Sequence, residues 1–527
     1  MESATRADMT SIFALESLAI VLLLVIALVA LVTDRLRIPY TVALVLVGLA
    51  ITFRGNLKAE VTPDLILALF IPPVAFEAAF RLDWRHVREN LPQILGLAIP
   101  GVILSTLVVG GTVFVLNVGI ALPLAALFGA LISATDPVAV VALFKASNVS
   151  RRLHVVIESE SLLNDGTAIV LFNIALAVAL TGAFDPVGGL FDFVQVSLGG
   201  VAVGSILGWT VARLLVHIDD HLVETTLTTC LAFGSYLLAT SLHTSGILSV
   251  VAAGLFCGTL GTKGMSPTTK IVVSTFWEYL AFIANSFVFL LIGLTIQFSQ
   301  LSESIGPIVA AIVAVLFSRA VVVYGSAILF ARKRRTMSLA ETHVLFWGGL
   351  RGAVSLALAL SLPAVLDDHS TLRAMTFGVV LFTLLVQATT MPWLLRRLGL
   401  VRFSPKQIER DLRLGRLVAG QAAWQRLQQL HEEGILTGEI WTALEAQYRD
   451  ESRRLAEQLQ ELYMESGELE RDLVINARRE ALRAERAALT EAARRGLIAD
   501  EAFRRLIAEV DNRLEAVLMH LPDVGPS

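Results

Sequence analysis

About thirteen apolar stretches, each long enough at roughly 20 residues to cross a bilayer as a helix, follow one another between residues 11 and 397. Their approximate limits are 11–33, 38–54, 61–82, 91–116, 121–145, 153–181, 190–216, 222–242, 246–262, 271–298, 305–331, 339–363 and 371–397. Lipid supplies no hydrogen-bond partners, so a spanning segment must satisfy its backbone internally, and apolar runs of this length do so as helices. Composition agrees: 55% of the 527 residues are hydrophobic and only 17% charged, with a mean hydropathy of +0.70. The fold class that follows is an all-α polytopic membrane protein. Met1 to Glu16 carries Glu2 and Asp8 beside a single Arg6. The first apolar run therefore reads as a transmembrane helix and not as a cleaved signal with a basic leader. Cys230 and Cys257 both fall inside apolar stretches and offer neither a disulfide framework nor metal-ligand spacing.

Loop charges orient the helices. With the C-terminus inside, the inner loops collect Arg35 and Arg37; Arg81, Arg85 and Arg88; Lys145, Arg151 and Arg152; Lys263 and Lys270; and Arg332, Lys333, Arg334 and Arg335. The outer loops hold little beyond Arg54, Lys58 and Arg373. The bias predicts an outside N-terminus and a cytoplasmic C-terminus in the plasma (inner) membrane. After Leu400 the composition changes, which divides the chain into a membrane domain, 1–400, and a cytoplasmic helical tail, 401–527, with a regulatory or dimerising role. The tail is rich in Glu, Arg, Ala, Leu and Gln, with apolar residues such as Trp424, Leu427 and Leu430 at helical spacing. A weak repeat runs through it: Gly434-Ile435-Leu436 with Glu439, Trp441 and Leu444, then Gly496-Leu497-Ile498 with Glu501, Phe503 and Leu506. Each copy predicts a helix ended by Gly, a turn, and a new helix that buries an aromatic residue near its start. Its charges are mixed, which argues against nucleic-acid binding.

Acids interrupt the apolar pattern in the sixth stretch, Glu158-Ser159-Glu160-Ser161-Leu162-Leu163-Asn164-Asp165-Gly166-Thr167. A charge near the bilayer centre costs roughly 2.5–3.5 kcal/mol, so acids there belong to a bundle interior or a water-filled path. On a helix Glu158, Ser161 and Asp165 share a stripe, with Glu160 and Asn164 on an adjacent one. Two other stretches are predicted to be broken. The fifth holds Ser133-Ala134-Thr135-Asp136-Pro137, where Pro137 removes a donor and disfavours helical geometry at Asp136. In the twelfth, Gly348-Gly349-Leu350-Arg351-Gly352-Ala353 permits close crossing and brings in an Arg that needs a partner. If spans 1–6 and 8–13 are inverted repeats, these two breaks correspond, the arrangement that marks the substrate site of repeat transporters. Glu77 closes the third stretch near the inner basic loop. Arg319, deep in the eleventh, requires an anionic partner, with Glu160 the first choice and Arg351 the competitor for that acid. The glycines at 199, 200, 204 and 208 form a small-residue stripe for helix packing. His243 and His343 lie near span ends as ordinary interfacial groups.

The combination of Pro72-Pro73 with Phe76-Glu77, Ala134-Thr135-Asp136-Pro137, Glu160-Ser161-Leu162-Leu163-Asn164-Asp165-Gly166, Phe289-Leu290-Leu291-Ile292-Gly293 and Gly349-Leu350-Arg351-Gly352 resembles the monovalent cation/proton antiporters. The resemblance is to the NhaP-like sodium/proton antiporters and their animal sodium/proton exchanger relatives, and covers residues 11–400. It implies a homodimer in which a mobile core of spans 4–6 and 11–13 moves against a dimerisation domain, with the broken fifth and twelfth helices crossing. It further implies that Asp165 binds Na+ or H+ in turn, and that Asn164 supports the crossing. Thr135, Asp136, Ser161 and Glu77 are implied to line or organise the cation site. The Asn-Asp pair implies one-for-one exchange without net charge. The long tail lies outside the resemblance.

Chemistry points the same way. A hard monovalent cation suits carboxylate, hydroxyl and freed carbonyl oxygens. One carboxylate cannot hold a proton and a cation together, so the two compete. Burial disfavours an ionised acid, which makes protons effective competitors. No cofactor is expected beyond transported Na+ and H+, with Li+ or K+ as further possible substrates. K+/H+ exchange is the rival within transport. A receptor or scaffold signalling through the tail is the rival from another class, and it leaves Asp165, Asp136, Glu77 and Arg319 unexplained. Enzymatic activity is not expected: an intramembrane hydrolase needs a Ser with a His or a metal set at depth, and neither is present.

Overall fold

The computed structural model describes residues 20–33, 39–54, 66–82, 84–147, 151–183, 185–218, 220–265, 267–295, 301, 303–330, 337–400, 405–464, 467–495 and 497–518. Arg35, Arg37, Lys58, Arg332, Lys333, Arg334 and Arg335 of the charge argument, and Gly496 of the tail repeat, lie outside them. The chain divides into two compact units, Met1–Arg402 and Phe403–Ser527.

Every regular element described is helical. In the first unit these are α1 (Ile20–Thr33), α2 (Tyr40–Arg54), a π-turn at Ile66–Phe70 leading into α3 (Ile71–Arg81), α4 (Trp84–Ala98), α5 (Pro100–Val115), α6 (Leu122–Ser133), α7 (Val138–Ser147), α8 (Arg151–Thr181) and α9 (Pro186–Leu215). They are followed by α10 (His221–Ser241), α11 (Gly246–Leu260), α12 (Pro267–Thr295), α13 (Ile305–Phe330), α14 (Leu339–Trp347), α15 (Ala353–Leu360), α16 (His369–Phe382) and, after a π-turn at Thr383–Ala388, α17 (Thr389–Arg397). Among the described residues eight helical stretches have the length and hydropathy to cross a membrane unaided, whereas Ile20–Thr33, Tyr40–Phe53 and Gly246–Leu260 are apolar but shorter.

Starts and ends follow local chemistry. Asp185 caps α9 by accepting from the Val187 and Gly188 amides, both at 3.1 Å. Asp220 caps α10 in the same way, and Ser338 with Glu341 forms a reciprocal capping box on α14. Arg373, counted above as an outer-loop charge, does other work. Its guanidinium donates to the carbonyls of Ala359 at 3.1 Å, Leu360 at 3.1 Å and Leu362 at 2.9 Å, and so closes the C-terminal end of α15. An arginine that satisfies orphan helix carbonyls carries weaker orientational meaning than a solvated one.

Packing sorts the membrane helices into two groups. α4 to α8 associate with one another and with α13 to α17, while α2, α3 and α9 to α12 form the second group. α8 touches both, packing on α6 and α4 in the first and on α9, α11 and α3 in the second. In the second group Gly200, Gly204 and Gly208 lie against Ser245, Ser249 and Ala253 of the α11 region. At Gly204 an added Cβ would run into the Ser249 carbonyl, which is why the stripe must be small.

The second unit contains α18 (Pro405–Glu432), α19 (Gly438–Met464), α20 (Gly467–Arg494) and α21 (Asp500–Leu518). α18 packs on α19 and α20 on α21. Gly434 takes a φ of +74° between the first two, the left-handed conformation that ends a helix at glycine. Trp441, near the start of α19, stacks on His431 with ring centres 4.5 Å apart and on Trp424 at 5.0 Å. In the second copy of the repeat Phe503 is half-buried.

Candidate functional site

Both predicted breaks are present, and they meet. α6 stops at Ser133, residues 134–137 are non-helical, and α7 begins at Val138. Likewise α14 stops at Trp347, residues 349–352 are non-helical, and α15 begins at Ala353. The two extended strands of chain cross with the Asp136 amide donating to the Leu350 carbonyl at 2.8 Å. Four helix ends therefore converge inside the first unit, and their unsatisfied backbone groups need partners.

Two side chains supply them. Asp136 accepts from the Val138 amide at 3.0 Å and also from the Ala353 amide, so one carboxylate caps the N-termini of both α7 and α15. Gly352 is required beside it, because a Cβ there would overlap the Asp136 carboxylate. Arg351 closes the opposite pole: its Nη1 donates to the Ser133 carbonyl at 2.6 Å and to the Ala134 carbonyl at 2.9 Å, capping the C-terminal end of α6. This corrects its expected place as an ion-pair residue competing for Glu160. The backbone carbonyls of the broken helix win because they lie directly across the crossing.

Glu160 belongs to Arg319. The guanidinium is bidentate, with Nη1 at 2.9 Å from Oε1 and Nη2 at 3.3 Å from Oε2, and Nη2 also reaches the Leu345 carbonyl at 3.2 Å. Glu160 is 1% exposed and Arg319 7%, so this is a buried pair joining α8, α13 and the end of α14. Asn164, one turn beyond Glu160, donates to Glu160 Oε1 at 3.3 Å and to the Thr135 hydroxyl at 3.2 Å. It thus ties α8 to the extended segment of the fifth span.

On the neighbouring stripe of α8, Glu158, Ser161 and Asp165 face a cavity of about 240 Å³. Glu77, Thr135, Asp136, Asn285 and Ser355 also line it. Ser161 donates to the Thr135 carbonyl. Glu77 accepts from Arg81 at 2.7 Å, and Arg81 lies 3.5 Å from Glu278, so Glu77 is both a wall of the cavity and half of a salt bridge. Glu158 lies 3.5 Å from His154. Five of the six expected ion-site residues therefore share one cavity. The sixth, Asn164, lines instead a small void of about 10 Å³ with Glu160, Arg319 and Arg351. Asn285 and Ser355 were not singled out from the sequence. Nothing distinguishes a lone Asn or Ser in an apolar helix from one bonded back to its own turn. Among the described residues no cluster of His, Cys, Asp and Glu is arranged to hold a metal ion.

Residues 20–397 match the family model described as sodium/hydrogen exchanger, transmembrane. The chain is 43% identical over 370 residues to the Na(+)/H(+) antiporter ApNhaP of Aphanothece halophytica, covering 69% of this chain and 70% of that protein. It is 39% identical over 439 residues to the low-affinity Na(+)/H(+) antiporter NhaS1 of Synechocystis, covering 81% and 82%. The solved structure of the sodium proton antiporter MjNhaP1 from Methanocaldococcus jannaschii at pH 8 superposes with a TM-score of 0.60 at 21% identity, covering 72% of this chain and 97% of that one. At that identity the likeness concerns the fold.

Proposed function

Since the chain belongs to the sodium/hydrogen exchanger family, we propose that it is a secondary antiporter in which Asp165 alternately carries Na+ and H+ across the plasma membrane. The observation that carries this reading is the division of labour among the membrane acids. Glu160 is neutralised by Arg319, Asp136 is committed to two helix N-termini, and Glu77 is engaged by Arg81. Asp165 faces the cavity beside the Ser161 and Thr135 oxygens, where a cation stripped of water would find hard donors.

Competition at Asp165 couples the two fluxes. A proton and a cation exclude each other on one carboxylate, so the loaded site crosses with one or the other. The cavity is built largely from the C-terminal half of the third span, α7 and the first half of α8. With the N-terminus outside, these are cytoplasmic halves, which makes this the inward-facing arrangement. Movement of the first helix group against the second, within a homodimer formed by the second, would carry the site outward. Asn164 in place of a second acid favours electroneutral exchange, in the service of pH and sodium homeostasis.

Everted vesicles loaded with a pH-sensitive dye test the reading. Na+ or Li+ should discharge an imposed pH gradient, and Asp165→Asn, which keeps the shape and removes the charge, should abolish the response at unchanged expression. Full activity in that variant would remove Asp165 from its role. A response to K+ alone would reassign the substrate to K+/H+ exchange.

A further inference from the structure

Resting on this Na+/H+ reading, we propose that the hydroxyl of Ser355, contributed by the second broken helix, is a further cation ligand that sets the affinity of the site. Ser355 stands in the first turn of α15 (Ala353–Leu360) and lines the same cavity as Asp165, Ser161 and Thr135. It is 0% exposed to outside solvent, yet among the described residues its oxygen has no hydrogen-bond partner.

Other helical serines, Ser159 and Ser197, also lack a partner among the described residues, but of the three only Ser355 lines this cavity, which sets it apart from serine hydroxyls in ordinary apolar helices. Such hydroxyls ordinarily donate back to a carbonyl three or four residues earlier, as Thr167 does to Leu163 at 2.9 Å and Thr376 to Leu372 at 2.8 Å. Three and four residues before Ser355 are Gly352 and Arg351, which belong to the extended crossing and not to a helical turn. The break that builds the site therefore also frees the hydroxyl. A buried polar group without a partner is costly, and the cost is recovered when a ligand arrives to meet it.

The donor inventory of the cavity leaves room for that ligand. An alkali cation that has shed its hydration shell needs several protein oxygens to replace it. Asp136 is held by the Val138 and Ala353 amides, and Glu77 by Arg81, so part of the acceptor capacity of each carboxylate is already spent. Ser161 spends its proton on the Thr135 carbonyl and keeps only its lone pairs for a cation. Asp165 and Ser161 both come from α8, and Thr135 comes from the fifth span. Ser355 adds an oxygen from the twelfth, so the cation would be held from both sides of the crossing and would sense its geometry.

The test is Na+-dependent proton flux in proteoliposomes for the wild-type protein, Ser355→Ala and Ser355→Thr. Ser355→Ala should raise the KM for Na+ about fivefold, the scale of one lost polar contact, with kcat within about twofold of wild type. Ser355→Thr keeps the hydroxyl and should restore the wild-type KM. At fixed Na+ the acid limb of the pH profile should move to higher pH in Ser355→Ala, because a more weakly held cation displaces protons from Asp165 less well. An unchanged KM and pH profile in Ser355→Ala, or a loss of kcat and melting temperature with KM unaltered, would overturn the assignment in favour of a packing role. If Ser355→Ala fails to reach the membrane, Ser355→Cys carries the same test with a softer donor. Absence of Na+-driven flux in the wild type would instead overturn the antiport reading and this inference with it.

Discussion

Glu160 and Asp165 lie little more than a turn apart on α8, and their neighbours give them different work. Glu160 meets the Arg319 guanidinium in a setting from which water is excluded. Removing either partner leaves an uncompensated buried charge, typically worth on the order of 3–5 kcal/mol, whereas removing both leaves none. Glu160→Gln and Arg319→Gln should therefore each lower the melting temperature more than the double variant does. Additive losses would show that the two are not coupled. Among the described residues Asp165 has no such counter-ion in hydrogen-bonding contact, and it lines the cavity, as the proposed exchange of ligands on its carboxylate requires. The residue whose role was hardest to foresee is Arg351. From its neighbours in sequence it is a cation in search of an anion, but the crossing presents it with the Ser133 and Ala134 carbonyls, and two orphan acceptors at a helix C-terminus serve a guanidinium as well as a carboxylate does.

Helix breaks and helix contacts depend on different features of the chain. Pro137 and the Gly348-Gly349 pair announced where α6/α7 and α14/α15 part, because a missing donor and a missing Cβ act locally. The stripe Gly200, Gly204, Gly208 announced a close approach but not its partner, which proves to be α11. Its tightness gives a direct prediction. Gly204→Val should destabilise the α9/α11 contact by about 1–3 kcal/mol or more, since the obstructing atom is the Ser249 backbone carbonyl and cannot rotate away. Gly234→Ala in α10, where no atom lies within 4 Å of the added Cβ, should leave the melting temperature unchanged or slightly raised. Thermal unfolding of the detergent-solubilised protein separates the two. Equal effects would mean that the stripe is not a packing contact.

At the scale of the whole molecule the decisive question is how much charge moves per cycle. With Glu160, Asp136, Glu77 and Glu158 each in contact with a partner, the proposed role of Asp165 as single carrier predicts one-for-one exchange that is insensitive to voltage. A single uncompensated charge would contribute about 2.3 kcal/mol per 100 mV, so proteoliposomes clamped with valinomycin at several potentials can detect it. Rates that rise with an imposed potential would defeat the electroneutral reading. The helical class, the two breaks and the acids in need of an explanation are legible in the chain itself. Each follows from rules acting within a few residues: backbone satisfaction in lipid, proline and glycine geometry, and the cost of a buried charge. The fold adds which partner each arginine meets, that Asp136 caps two helices at once, that Asn164 lies behind the cavity and not in it, and that Ser355 has no hydrogen-bond partner among the described residues. Those facts depend on segments far apart in sequence meeting at the crossing, such as Asp136 with Leu350 and Glu160 with Arg319, and no local pattern encodes which orphan backbone groups a side chain will meet there.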